Sequence, residues 1–273
     1  MSYFKFNDLN IYYEVEGSGF PLVILNGIMM STKSWESLKQ DFTSKHTLIR
    51  LDFIDQGQSD AAKEPYEQSI QMEVLKALLD HLKIQKTHLV GISYGGEVGM
   101  QFIAKYPAYI EKAIIFNSVS YTTNTLATLG HKWNEYAKAR DTLKYYEVTI
   151  PVIYSKIFVE THEAWMEARR NILINGPFAN PNFLDRMIRL TDSALSYDVR
   201  PYLKDIKTPI LIVGAEEDQL TPLVHQRYMA DALPNASFVV LPGVGHASMY
   251  EVPHVFTSII IGYLNTPYRE YNI

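Results

Sequence analysis

The 273-residue chain contains no cysteine. That excludes a disulfide framework, a thiolate nucleophile and any cysteine-ligated zinc site. It also lacks an excess of positive charge. Lys and Arg number 25 against 30 Asp and Glu, for a formal net charge of −5. No cluster of basic residues restores the footprint that a nucleic-acid partner needs, so none is expected. Long apolar runs are missing as well: the stretch Ile259–Leu264 near the C-terminus is far too short to span a bilayer. The opening Met-Ser-Tyr-Phe-Lys-Phe-Asn-Asp has neither the basic n-region nor the apolar h-region of a signal peptide. These absences together lead us to expect a cytoplasmic protein without stable membrane insertion. What remains is globular composition, 47% apolar and 20% charged, with ample material for a core. Neither an internal repeat nor a low-complexity tract is present. Oligomeric state has no signature.

Short, continuous apolar runs recur at 22–25, 47–51, 87–90, 112–116, 210–213 and 237–241. Continuous rather than alternating runs suit parallel strands covered on both faces. Ile11–Val15 alternates more and reads as an antiparallel edge strand. Helical patterns lie between the runs, over 67–82, 96–106, 223–233 and 252–264. In the first, Ile70, Val74, Ala77, Leu78 and Leu82 mark one face. Alternating strand and helix implies a doubly wound α/β sheet. The rhythm breaks after Ser120 and resumes at Pro209. The intervening segment is aromatic-rich and helical in pattern. We read 121–200 as a helical cap and 1–120 with 201–273 as the α/β core.

The sharpest feature is Gly91-Ile92-Ser93-Tyr94-Gly95, a Gly-x-Ser-x-Gly directly after an apolar run and directly before a helical pattern. In that context the serine sits on a sharp strand-to-helix turn with its hydroxyl lifted above the sheet edge. A serine hydroxyl attacks only when a base takes its proton, so a histidine and an orienting acid are required. Of eight histidines, His246 follows the last expected strand in a loop with Gly243 and Gly245. His88 lies inside a strand, and His46, His81 and His131 fall in polar or cap segments. The acid belongs at the end of the preceding strand, where Glu216, Glu217 and Asp218 stand together. The order Ser, acid, His fits all three; Asp218, at the tip of the turn before Pro222, is favoured. An oxyanion needs two N–H donors. Tyr94, the residue after the serine, is one, and Ile28, in the loop Asn26-Gly27-Ile28-Met29-Met30, is the other.

These residues resemble the α/β-hydrolase superfamily over essentially the whole chain. The resemblance implies an eight-stranded, mostly parallel sheet with a helical cap over a Ser93–Asp218–His246 triad, and neither an organic cofactor nor a metal. Two loops depart from the family pattern. Asn26-Gly27 stands where most members have His-Gly. In Asp52-Phe53-Ile54-Asp55-Gln56-Gly57-Gln58-Ser59, Ile54 and Asp55 replace an Arg-Gly pair. Asp tolerates a left-handed backbone better than most residues, so the turn can survive. Both departures look like the subgroup containing the rhamnolipid-precursor synthase, an acyltransferase that joins 3-hydroxyacyl units from acyl carrier protein. Asn26-Gly27-x-Met29, Ser34-Trp35, Gly57-Gln58-Ser59 and Tyr94 carry that similarity.

The expected activity is therefore hydrolysis of a small-molecule ester or thioester, with acyl carrier protein or CoA as the carrier in the thioester case. Asn26, Met29, Met30, Trp133 and Trp165 are the expected substrate contacts. Two alternatives share the residues. An acyltransferase would let a hydroxy acid replace water, and a small-molecule receptor would keep the fold without turnover.

Overall fold

The computed structural model describes residues 2–267. Position 1 and positions 268–273, at the ends of the expected core, lie outside the described residues. Eight strands form one sheet: β1 (Ser2–Phe6), β2 (Leu9–Gly17), β3 (Phe20–Leu25), β4 (His46–Leu51), β5 (Thr87–Ile92), β6 (Ile110–Phe116), β7 (Ile210–Ala215) and β8 (Ala236–Leu241). Their spatial order is β1-β2-β4-β3-β5-β6-β7-β8. β1 with β2 and β2 with β4 run antiparallel, and every other pair is parallel. The segment expected as an edge strand, Ile11–Val15, is instead interior, because β1 pairs outside it from Ser2↔Tyr13 to Phe6↔Leu9. β1 escapes a sequence reading because Phe4 is its one buried side chain.

The continuous apolar runs are buried on both faces, as parallel strands require. Val23, Leu25, Ile49, Leu89 and Ile115 face one apolar cluster, and Leu22, Ile24, Leu48, Val90 and Ile114 face the other. Helices α1 (Lys39–Thr43), α2 (Ser69–His81) and α3 (Tyr94–Lys105) follow β3, β4 and β5 in turn. The buried face of α2 is rotated from the expected one: Met72, Val74, Leu75, Leu78 and Leu79 are buried, while Ile70 and Ala77 are half-buried. Contact with both α3 and the sheet widens and shifts the stripe.

Between β6 and β7 run α4 (Asn124–Ala139), α5 (Thr142–Thr149), α6 (Lys156–Thr161), α7 (Glu163–Ile174) and α8 (Pro181–Ser193). Side-chain caps start α4 and α6, where Thr123 accepts from Leu126 N–H and Ser155 from Phe158 N–H. Trp133, Tyr145, Tyr146 and Phe158 join the same apolar cluster as the sheet face beneath them. Helices α9 (Leu223–Ala232), α10 (Ser248–Glu251) and α11 (Pro253–Asn265) follow among the described residues, with Phe256 and Ile260 of α11 covering the opposite sheet face. No helix among the described residues is long and apolar enough to cross a membrane.

Candidate active site

β5 ends at Ile92 and α3 begins at Tyr94, leaving Ser93 alone to make the turn. It does so at φ 53°, ψ −123°, a backbone conformation that non-glycine residues occupy only under strain. The glycines on either side are steric necessities. A Cβ at position 91 would lie 2.6 Å from the Gly95 carbonyl oxygen, and one at position 95 would lie 2.4 Å from that of Leu25. Hydrogen bonds then lock the turn: Ser93 N–H donates to Phe116 O at 3.0 Å, and Ser118 Oγ donates to Ser93 O at 3.0 Å.

The loop after β7 carries the acid. Asp218 is fully buried and collects donors on both oxygens: Leu220 N–H at 2.9 Å, Thr221 N–H at 2.8 Å, Thr221 Oγ1 at 2.6 Å and Asn117 Nδ2 at 3.0 Å. Its Oδ2 lies 2.8 Å from His246 Nδ1. Burial by itself raises the pKa of this carboxyl, but the imidazole and the Thr221 donors outweigh it and hold the group below the usual carboxylate value. The neighbouring acids are occupied elsewhere. Glu216 accepts from Gly243 N–H at 2.8 Å and Glu217 from Lys156 N–H at 3.0 Å. Geometry thus separates three carboxylates that sequence leaves adjacent.

His246 is positioned by its own loop. Gly245 N–H donates to Glu251, and Ala247 N–H donates to Ile153 O at 2.8 Å, which ties the histidine loop to the segment between α5 and α6. With Nδ1 engaged by Asp218, Nε2 is the ring nitrogen left for a reactant. Ser93 and His246 line one cavity of about 290 Å³. They are not hydrogen bonded to each other, a bond that commonly tightens only with substrate in place.

Ile28, Met29, Met30, Tyr94 and Trp133 line that cavity too, whereas Asn26 and Trp165 do not. Ile28 N–H has no acceptor among the described residues, and Tyr94 N–H, at the first position of α3, has no intrahelical one. Asn26 is instead a buried strut. Its Nδ2 donates to Leu51 O at 2.7 Å and to Gln56 Oε1 at 3.0 Å, while its Oδ1 accepts Trp35 Nε1–H at 2.7 Å. Gln56 Nε2 in turn donates to Gly27 O at 2.9 Å. Asn26 and Gln56 therefore shape the loop bearing Ile28 and do not touch its contents. Trp165 packs edge-on against Tyr154 and Phe158 and is 37% exposed, which leaves it behind the cavity wall. Asp55 takes the left-handed conformation expected for it, at φ 69°, and receives both Nε and Nη2 of Arg189 in α8.

Two site residues escaped the sequence reading. Asn117, directly after β6, orients Asp218 and is itself held by Ser248 Oγ at 2.9 Å. A polar residue closing an apolar strand was the available signal. Glu97 lies one helical turn beyond Ser93, lines the cavity and accepts Gln68 Nε2–H at 2.6 Å. Burial pushes its carboxyl up to about 7, with the Gln68 bond and nearby His246 acting the other way.

An eight-stranded sheet of this order with an acid–imidazole pair opening beside an elbow serine defines a class, and comparison with known proteins agrees. Residues 21–152 match a family model described as the alpha/beta hydrolase fold, and residues 191–272 match one described as TAP-like protein. The chain is 47% identical to MGS-M2, an alpha/beta hydrolase enzyme from a Medee basin deep-sea metagenome library. The two structures superpose with a TM-score of 0.98, each covered over 100% of its length. The chain belongs to the alpha/beta hydrolase family and is an enzyme of that kind. It is also 25% identical, over 93% of its length and 96% of the relative, to a protein of Caulobacter sp. (strain K31) named for a carbamate hydrolase, RutD. The fold is shared with the enol-lactonase of Burkholderia xenovorans LB400, at 20% identity, a TM-score of 0.87, and coverage of 97% and 100% of the two chains.

Proposed function

We propose that the protein is a serine hydrolase that cleaves a small-molecule carboxylic ester or thioester through an acyl-enzyme. The observation that carries this reading is the 2.8 Å Asp218–His246 pair opening on the same cavity as Ser93 at its strained turn. His246 Nε2 takes the Ser93 proton as Oγ attacks the carbonyl carbon, and Asp218 holds the tautomer and stabilises the imidazolium. The oxyanion is received by Tyr94 and Ile28 N–H, each such donor contributing ~2.7–4 kcal/mol to the transition state. His246 then protonates the leaving group. Water, deprotonated by the same imidazole, releases the acid and restores Ser93.

The same chemistry extends to a carbamate carbonyl, as the names of several relatives suggest. The similarity to the rhamnolipid-precursor synthase rests partly on Asn26, which here braces a loop and touches no substrate space. It therefore speaks for loop shape more than for acceptor choice, and water is the acceptor we favour. A fluorophosphonate probe followed by intact-mass measurement should add one adduct on Ser93, and Ser93→Ala should abolish both labelling and p-nitrophenyl ester turnover. Retained turnover in that variant overturns the reading. An ester formed from an acyl thioester and a 3-hydroxy acid, with no free acid, would move the activity to an acyltransferase.

A further inference from the structure

The arginines of the segment between β6 and β7 are engaged with one exception. Arg140 pairs with Asp185, Arg170 with Glu167 and Arg189 with Asp55, and Arg186 donates to Ser59 O. Arg169, on α7, lines the catalytic cavity with its Nε buried and without a hydrogen-bond partner among the described residues. No carboxylate among those residues pairs with it. Aromatic faces hold it there instead: its guanidinium carbon lies 4.9 Å from the Tyr250 ring centroid, 5.3 Å from that of Trp165 and 5.9 Å from that of Tyr154. Trp165 thus acts from behind the wall by steadying a side chain that does reach the cavity. Arg169 is the sole Lys or Arg among the lining residues, and Glu97, the sole carboxyl, is turned to Gln68.

A cation kept unpaired and partly desolvated beside a mostly apolar space costs stability unless something anionic completes it. We propose that Arg169 selects a substrate carrying a single carboxylate in addition to the scissile ester or thioester carbonyl. One planar guanidinium with free donors matches one carboxylate in charge and in fork geometry, and no other Lys or Arg lines the cavity to suit a phosphate dianion. The assignment rests on the hydrolase reading above, and the two can fail separately.

The test compares mono-p-nitrophenyl adipate with its neutral isostere, p-nitrophenyl 5-carbamoylpentanoate. Wild-type enzyme should favour the acid over the amide in kcat/KM by about 10- to 100-fold, the range of a charge-assisted contact. Arg169→Met, which keeps the apolar stem, should bring that ratio close to one. Arg169→Lys should give an intermediate ratio, and Arg170→Met, altered one residue away but outside the cavity lining, should keep the wild-type ratio. Monomethyl adipate, which carries one carboxylate, should bind Ser93→Ala in calorimetry and lose that binding in Ser93→Ala/Arg169→Met. A wild-type ratio near one, or a ratio unchanged in Arg169→Met, overturns the proposal while leaving the hydrolase intact. If Arg169→Met does not fold, the wild-type ratio decides alone. Failure of wild type to turn over either ester sinks the hydrolase reading, and monomethyl adipate binding to Ser93→Ala still judges Arg169.

Discussion

Replacing Ser93 by glycine and by alanine separates the energetic cost of its turn from the chemistry proposed for its hydroxyl. At an ordinary position Ala is more stable than Gly by about 0.4–1 kcal/mol, because Gly has more unfolded-state freedom to lose. At φ 53°, ψ −123° the order should reverse. A Cβ there carries roughly 1–3 kcal/mol of backbone strain that glycine does not. The net advantage of Gly over Ala is then about 0.5–2 kcal/mol. Unfolding entropy near 2.1 cal/mol/K per residue gives about 0.6 kcal/mol per degree at this length. The expected gap in melting temperature is therefore about 1–4 °C in favour of Ser93→Gly, with esterase activity absent from both variants. Urea unfolding followed by circular dichroism, read as a midpoint shift at constant slope, is the direct assay. An alanine variant as stable as the glycine one, or more so, would mean that the turn stores no strain and that its conformation does not depend on what surrounds it.

Asp218→Asn should lower kcat by about 10⁴-fold, because the amide cannot hold His246 in the tautomer that leaves Nε2 free to accept a proton; a loss under tenfold in a single-turnover acylation assay would contradict the assigned role. The same carboxyl is held below its ordinary pKa, so its contribution to stability is complete above the unfolded value near 4 and fades as pH falls through the lower folded one. The acid limb of the wild-type stability curve below about pH 4 should accordingly be steeper than that of Asp218→Asn. Glu97 works in the opposite sense. Its folded value of about 7 lies above the unfolded one, so the native state binds the extra proton and stability should fall as pH rises from about 4.5 to about 7. The full span is on the order of 3 kcal/mol. Glu97→Gln should flatten that slope in urea titrations between pH 5 and 8, and an unchanged slope would assign the titration to another group.

Much of this molecule is local physics and was legible as such. Buried parallel strands announce themselves as unbroken apolar runs, because both faces are covered. The turn at Ser93 announces itself because only glycine fits at 91 and 95. The long helical interruption after β6 was visible for the same kind of reason, since no apolar run divides it. β1 was not legible, because a strand with one buried side chain has no pattern apart from its partner.

The site divides along the same line. Order along the chain singled out Ser93 and His246 and favoured Asp218 among three neighbouring acids. The fold supplies the physical reason for separating them: it gives Glu216 and Glu217 other donors and turns Asp218 to the imidazole. Asn26 shared the loop of Ile28, yet packing turned its amide toward Leu51 and Trp35 and away from the cavity. Trp165 and Arg169 stand four residues apart on one helix, and only three-dimensional packing put the ring behind the wall and the guanidinium on it. The sequence by itself determined which backbone could form and where the sharp serine turn must stand, since those depend on neighbours in the chain. Which buried polar group meets which partner depends on side chains brought together from distant segments, and that the tertiary structure alone decided.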